Sequence, residues 1–386
     1  MFEKRRKQRE MTAFTEGVKT LEGVAFIGGI GAGILSLPFA VAQVGLFVGL
    51  PYIALVGLLM MGINLLLGEI VIRTKKNMQL AGLARTYLGR GAEGIMVLLS
   101  YTLLFGALLI YIIGEGQTLS TLFGGNALNW SLAFFVGAST LVLLGMKMVK
   151  RIDIILLFIL TFIISLIIAQ GFVHIDPTAL VYTNWQNIFL PYGVLVFAFH
   201  ASTSVPEAYE VVDKNPRILR KVIIASTFYN ILIYSFFAIA TVGVMGMGTT
   251  AIATIGLGEK IGQQVLVFGN VFAAVAMGLA FLNVASSLRD SLRWDFNFPP
   301  LVGAGIACLI PFLLFLAGVR QFIELIDVVG GVVMSIEMLL LLLIYWKIKH
   351  KPRSRKDYML HHGLLVFSAL IIAFSFGTVY SVIKFF

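Results

Sequence analysis

With one cysteine, Cys308, in 386 residues, the chain can form no intramolecular disulfide and no cysteine-rich metal site. Charge is also scarce: Asp, Glu, Lys and Arg together make up 12% of the residues, and there are 5 histidines. Neither an HExxH helix motif nor a GxxxxGK(S/T) phosphate loop occurs, so zinc hydrolysis and direct ATP drive have no sequence basis. Long polar stretches that could fold as a second domain are missing as well. What remains is 59% hydrophobic with a mean hydropathy of +0.95, the composition of an integral, multi-pass membrane protein.

About 20 apolar residues cross roughly 30 Å of hydrocarbon. Eleven segments qualify: 20–43, 45–72, 94–121, 131–149, 152–173, 187–212, 221–245, 263–287, 299–318, 322–346 and 361–383. With the N-terminus inside, all of the 29 Lys and Arg residues except Lys260, Arg320 and Lys384 fall on the cytoplasmic side. The positive-inside rule therefore predicts a cytoplasmic N-terminus, an outer C-terminus and insertion in the plasma (cell inner) membrane. The basic head runs into an apolar stretch too long for a signal h-region, which predicts a first span rather than a cleaved leader. The net charge of +10 is spread over six short segments beside spans, which suits anionic headgroups and predicts no nucleic-acid partner.

Two spans carry interruptions. Gly28 to Ala40, GGIGAGILSLPFA, puts four glycines and Pro38 into thirteen residues of span one. Span six, PYGVLVFAFHASTSVPEAYE from Pro191 to Glu210, turns small and polar after Phe199 and meets Pro206, so its helix should open near residues 199–205. In lipid a broken helix survives only where protein or a water-filled cavity covers the freed amides and carbonyls. Five spans separate the breaks. That spacing predicts an all-α, five-plus-five inverted repeat within one transporter domain: a basic tail over 1–19, repeats over 20–173 and 187–346, and an extra helix over 361–383.

GIGAGILSLPFAVAQVG (Gly29 to Gly45) resembles the first-helix signature of the amino acid/auxin permease family, within the amino acid-polyamine-organocation superfamily, and of its bacterial relatives, the aromatic amino acid permeases. FAFHASTSVPEAYE (Phe197 to Glu210) and KNPRILRK (Lys214 to Lys221) are similar to those families' sixth helix and the basic segment after it. The resemblance implies a LeuT-type fold and secondary active transport of an amino acid. It also implies that Gly31, Ala32, Gly33 and Ile34 present backbone amides to the substrate carboxylate, although small residues equally serve close helix packing.

Phe197, Phe199, His200 and Ala201 of span six, with Tyr101 and Phe105 of span three, are candidates to line the side-chain pocket. Asn283, Ser286 and Ser287 share one face of span eight at i, i+3, i+4. Together with carbonyls around Ile27 and Ile30 they resemble the sodium site of the LeuT-type fold, whose oxygen donors suit a hard cation. Several sodium-coupled members have an Asn where this chain has Ile27, and span five holds no lysine to replace the ion. The driving partner is thus H+ or Na+, with no other cofactor expected.

Acids in hydrocarbon are functional candidates because an unpaired charge there costs several kcal/mol. Glu115 is expected near the outer, wet end of span three. Glu207 and Glu210 follow the span-six break, Glu210 within reach of Lys214 or Arg217, and Glu337 in span ten is the deepest. The sequence favours a symporter for a neutral, hydrophobic or aromatic amino acid. An amino acid-binding nutrient sensor and a sodium-coupled symporter of small neutral amino acids are the alternatives.

Overall fold

A computed structural model describes residues 2–28, 31–74, 76–144, 149–349 and 363–385. The described chain is helical: α1 (Phe2–Ile27), α2 (Ala32–Ala42), α3 (Leu46–Thr74), α4 (Leu80–Leu88), α5 (Arg90–Phe123), α6 (Ala127–Leu144), α7 (Val149–Val173), α8 (Tyr192–Phe199), α9 (Ser204–Val211), α10 (Pro216–Met245), α11 (Ala253–Ile261), α12 (Gln263–Phe296), α13 (Pro300–Leu316), α14 (Phe322–Val328), α15 (Ser335–Lys349) and α16 (Gly363–Phe385). Each expected span coincides with one of these helices or with a pair of them. Among the described residues, eight helices are long and apolar enough to cross a membrane unaided, and the pair Thr15–Ile27 and Ala32–Ala42, bent by 61°, adds a ninth. Two expected spans fall short as single helices. α13 has 17 residues, and span six is divided into α8 and α9 of 8 residues each.

Both breaks form where the sequence places them. Gly31 adopts an extended conformation as the N-cap of α2, and no side chain bonds to the amides that follow it. In span six, α8 stops at Phe199, His200 is extended (φ −67°, ψ 124°), and α9 restarts at Ser204. Pro206 sits in the first turn of α9, where a missing N–H removes no intrahelical bond. The halves share an element order: α4 stands between the second and third spans, and α11 between the seventh and eighth. Both long third and eighth spans, α5 and α12, pack on each other through the centre of the molecule.

The tenth span contains a π-helical stretch, Val329–Met334, between α14 and α15. Such a bulge often marks a functional position, because one extra residue per turn re-aims the side chains after it. Here it is held by interlocked glycines. A Cβ on Gly330 would collide with the Gly193 carbonyl of α8, and one on Gly193 would meet the Asp327 carbonyl at 2.6 Å. Gly377 of α16 fits over the ring of Tyr192, whose hydroxyl lies 2.7 Å from Ser335 Oγ.

This seam gives a measurable contrast. Gly330→Val should lower the thermal midpoint of the purified protein, by overpacking worth about 1–3 kcal/mol. Gly305→Val, where nothing lies within 4 Å of an added Cβ, should melt with the wild type. Equal midpoints for both variants would show that the seam is not close-packed.

Candidate functional site

A cavity of about 130 Å³ opens where the two breaks face each other. Ile27, Gly31 and Gly33 border it from the first span and Phe197, His200, Thr203 and Ser204 from the sixth. α5 contributes Leu103, Leu104, Ala107 and Tyr111, α12 contributes Leu279, Ala280 and Asn283, and Met334 closes the wall at the end of the π stretch. Most of the lining side chains are apolar, the Tyr111 hydroxyl, Asn283, His200, Thr203 and Ser204 being the polar ones, and polar atoms of side chains and open backbone make up about as much of the exposed wall as apolar atoms.

Gly31 and Gly33 do different work. A Cβ on Gly31 would stand 3.1 Å from the Tyr111 hydroxyl and 3.2 Å from Ala280 Cβ, so it would intrude on the cavity wall. At Gly33 an added Cβ would strike the backbone of Ala198 in α8, so this glycine lets the two broken spans touch. The packing role weighed for the glycines is therefore real at Gly33. Ala32 and Ile34 are wholly buried outside the cavity lining, and Ile30 lies outside the described residues.

Three aromatic side chains expected in the pocket lie elsewhere. Tyr101 and Phe105 stack edge to face at 6.2 Å, roughly a third of a turn around α5 from the face that carries Leu104, Ala107 and Tyr111. Phe199 packs against Tyr234, ring centres 5.0 Å apart, while Phe197, two residues earlier, takes the cavity side. Ala201 is buried inside the break, where its carbonyl accepts the amides of Ser204 (2.9 Å) and Val205 (3.2 Å). Ser286 and Ser287 follow one turn beyond Asn283 on α12 and do not border the cavity.

His200 and Glu337 come together. His200 Nε2 is 3.3 Å from Glu337 Oε2, and Ser100 Oγ donates to Glu337 Oε1 at 2.5 Å. The carboxyl is fully buried, and it joins three elements: the span-six break, α5 and the start of α15 just after the π stretch. The sequence marked both residues without pairing them, and Ser100 carried no signal because its partner is 237 residues away.

On the side where the basic segments lie, a polar network fills the space beneath the cavity. Gln79 offers its backbone N–H to Asp295 Oδ1 at 3.1 Å and its side-chain amide to Glu207 Oε1 at 3.1 Å. Ser291 reaches Asp295 Oδ2 at 3.4 Å, and the Tyr101 hydroxyl meets Ser291 at 3.3 Å. Tyr101 thus belongs to this closure rather than to the pocket. Glu210 pairs with Lys214 at 3.0 Å, one of the partners expected for it. Four buried acids escaped the sequence reading: Asp295 of this network; Asp290, which pairs with Arg289 at 3.1 Å; Glu69, which pairs with Arg73 and accepts from the Tyr345 hydroxyl; and Asp327, which pairs with Lys384.

The tryptophan/tyrosine permease family model matches residues 17–384. The chain belongs to that family. Among curated relatives, glutamine transporter 2 of Aliivibrio fischeri is 21% identical over 349 residues, covering 86% of this chain and 89% of its own. Among solved structures, that of MhsT in complex with L-phenylalanine superposes with a TM-score of 0.69 at 15% identity, over 95% of this chain and 98% of that one. A manganese transporter of Eremococcus coleocola, in complex with an aromatic bis-isothiourea substituted compound, gives 0.61 at 13% identity, over 95% and 94%. These likenesses place the fold as LeuT-type. The permease is thus an integral membrane amino acid transporter and not an enzyme.

Phe197 and Phe199 separate pocket from packing. Phe197→Ala should change the order in which L-amino acids stabilise the purified permease in a thermal-shift screen. Phe199→Ala should lower the melting temperature, with about 3 kcal/mol lost to the cavity it leaves, and keep the wild-type order. The reverse pattern would move the pocket wall to Phe199.

Proposed function

We propose that this permease is a secondary active symporter of the amino acid/auxin permease branch, moving a neutral, hydrophobic or aromatic amino acid across the cell membrane by alternating access with protons as the driving partner. It crosses the membrane eleven times, N-terminus in the cytoplasm and C-terminus outside. The observation that carries this reading is the cavity between the two breaks, lined mostly by apolar side chains beside open backbone, with the His200–Glu337 pair at its edge.

The uncapped amides that open α2 at Gly31 carry the positive end of a helix dipole and suit the carboxylate of a zwitterion. Around the side chain, Leu103, Leu104, Phe197 and Met334 offer no counter-charge, and a charged side chain buried there would be costly. The family's name and the phenylalanine bound to MhsT agree with an apolar or aromatic side chain. Glutamine, in the name of the Aliivibrio relative, is also neutral.

In this reading Glu337 carries the proton. Ionised, it accepts from Ser100 and His200 and ties α15 to the span-six break; protonated, it loses the charge that holds His200 to it. Substrate entry at the break and proton entry at Glu337 then act on the same joint. Sodium is the second reading, favoured by Asn283 and the backbone near Ile27 at the cavity wall with Ser286 and Ser287 one turn beyond.

Proteoliposomes decide between them. With the outside acid and sodium absent, labelled L-phenylalanine, L-tyrosine, L-tryptophan or L-glutamine should accumulate. Glu337→Gln should lose that accumulation and keep counterflow of the same amino acid. Uptake that strictly requires sodium and disappears in a Ser286→Ala, Ser287→Ala double variant would overturn the proton reading. Stronger competition by Lys, Arg or Glu than by Phe, Tyr or Trp would overturn the substrate class.

A further inference from the structure

Glu115 of α5 is 2% exposed, so it is buried rather than wet as expected, although it lies in the last third of the helix that ends at Phe123. Its flanking glycines explain the burial. Gly114 admits Met277 Sδ of α12 to within 2.6 Å of where a Cβ would be, and Gly116 admits the Ala127 carbonyl of α6 to 2.5 Å. Three helices therefore close around the carboxyl, which lies against Gly278 of α12 with that residue's amide as its polar neighbour.

Among the described residues, no cation faces it. The facing stretches of α2, α6 and α12 hold no titratable group, and α13 offers Cys308 alone. α14 brings Glu324, which is exposed, and Asp327, which pairs with Lys384. The charged residues of α12, Arg289 to Asp295, begin eleven residues beyond Gly278, about 16 Å along the helix. On α5 itself, Tyr111 is one turn away, Tyr101, Glu93 and Arg90 are farther, and Glu337 meets the helix at Ser100, about 22 Å off. An ionised Glu115 would be a buried charge without a partner.

Its position relative to the break gives that charge a consequence. Gly31, the first residue of the α2 N-terminus, is flanked by Tyr111 and Ala280, which stand four residues from Glu115 and two from Gly278. Glu115 thus sits behind the wall against which the substrate carboxylate would rest. Two like charges about 10 Å apart in a protein interior repel enough to weaken binding about tenfold.

We propose that Glu115 is a proton-binding carboxyl linked to substrate capture: its protonated form admits the amino acid carboxylate at Gly31 and its ionised form repels it. The link rests on the amino acid site placed above, and it adds a second proton-sensitive group separate from Glu337. It holds whichever ion drives transport, because it concerns affinity.

The test is equilibrium binding of L-phenylalanine, L-tyrosine, L-tryptophan and L-glutamine to the purified permease between pH 5 and pH 8, where the ligands keep their charges. Wild-type affinity should fall about tenfold as pH rises. In a Glu337→Gln background, which removes the other proton site, affinity should still fall about tenfold as pH rises, and adding Glu115→Gln or Glu115→Leu should abolish that fall. In weakly buffered solution at the upper end of this range, wild type should take up a proton as ligand binds. A Glu337→Gln affinity flat with pH, the same fall in either double variant, or binding without proton uptake would each overturn the proposal. Failure of all four amino acids to bind wild type would instead remove the substrate site itself.

Discussion

Everything in this permease is arranged around backbone groups that two interrupted helices leave free in an apolar medium. An unpaired amide or carbonyl in hydrocarbon costs several kcal/mol, so each break must be covered. Protein covers much of span six: the Tyr234 hydroxyl takes the Ala198 carbonyl at 3.1 Å, and Ala201 O takes the amides that restart the helix. The α2 N-terminus has no such side-chain partner among the described residues, and it meets the cavity at Gly31 and Gly33. One break is largely self-satisfied and the other is less so.

The breaks and the apolar helices were legible because glycine, proline and long apolar runs act locally. What the sequence could not supply was the rotation of each helix about its axis. Tyr101, Phe105 and Tyr111 all lie on α5, and nothing in an almost uniformly apolar helix says which of them faces inward. Phe197 and Phe199 show the same ambiguity across two residues. Partners far apart in the chain were equally hidden, as with Ser100 and Glu337, or Glu69 and Tyr345. The wetness expected of Glu115 was inferred from its nearness to the helix end, whereas the glycines beside it let neighbouring helices close over it.

Most of the buried acids bind one helix to another. Glu337 joins α15 to α5 and to the span-six break, Glu69 joins α3 to α15, Asp327 joins α14 to α16, and Glu207 joins α9 to the start of α4. A chain with few charged residues has spent a good share of its acids on joints between elements. Such joints are individually reversible, since a proton or a water molecule can replace the partner, whereas apolar contacts between the same helices have no comparable switch.

The two halves of span six are held by different kinds of contact. α8 is wedged by close packing, with the Gly193 backbone under the π stretch and the Tyr192 ring beneath Gly377, its hydroxyl meeting Ser335 in a buried site. α9 is tethered by hydrogen bonds and ion pairs, through Glu207 to Gln79 and Glu210 to Lys214. Water arriving from the basic side can compete for the second set and has nothing to offer the first. The span is therefore fastened at one end mainly by shape and at the other by bonds that water can replace, so its two ends differ in how they yield to hydration.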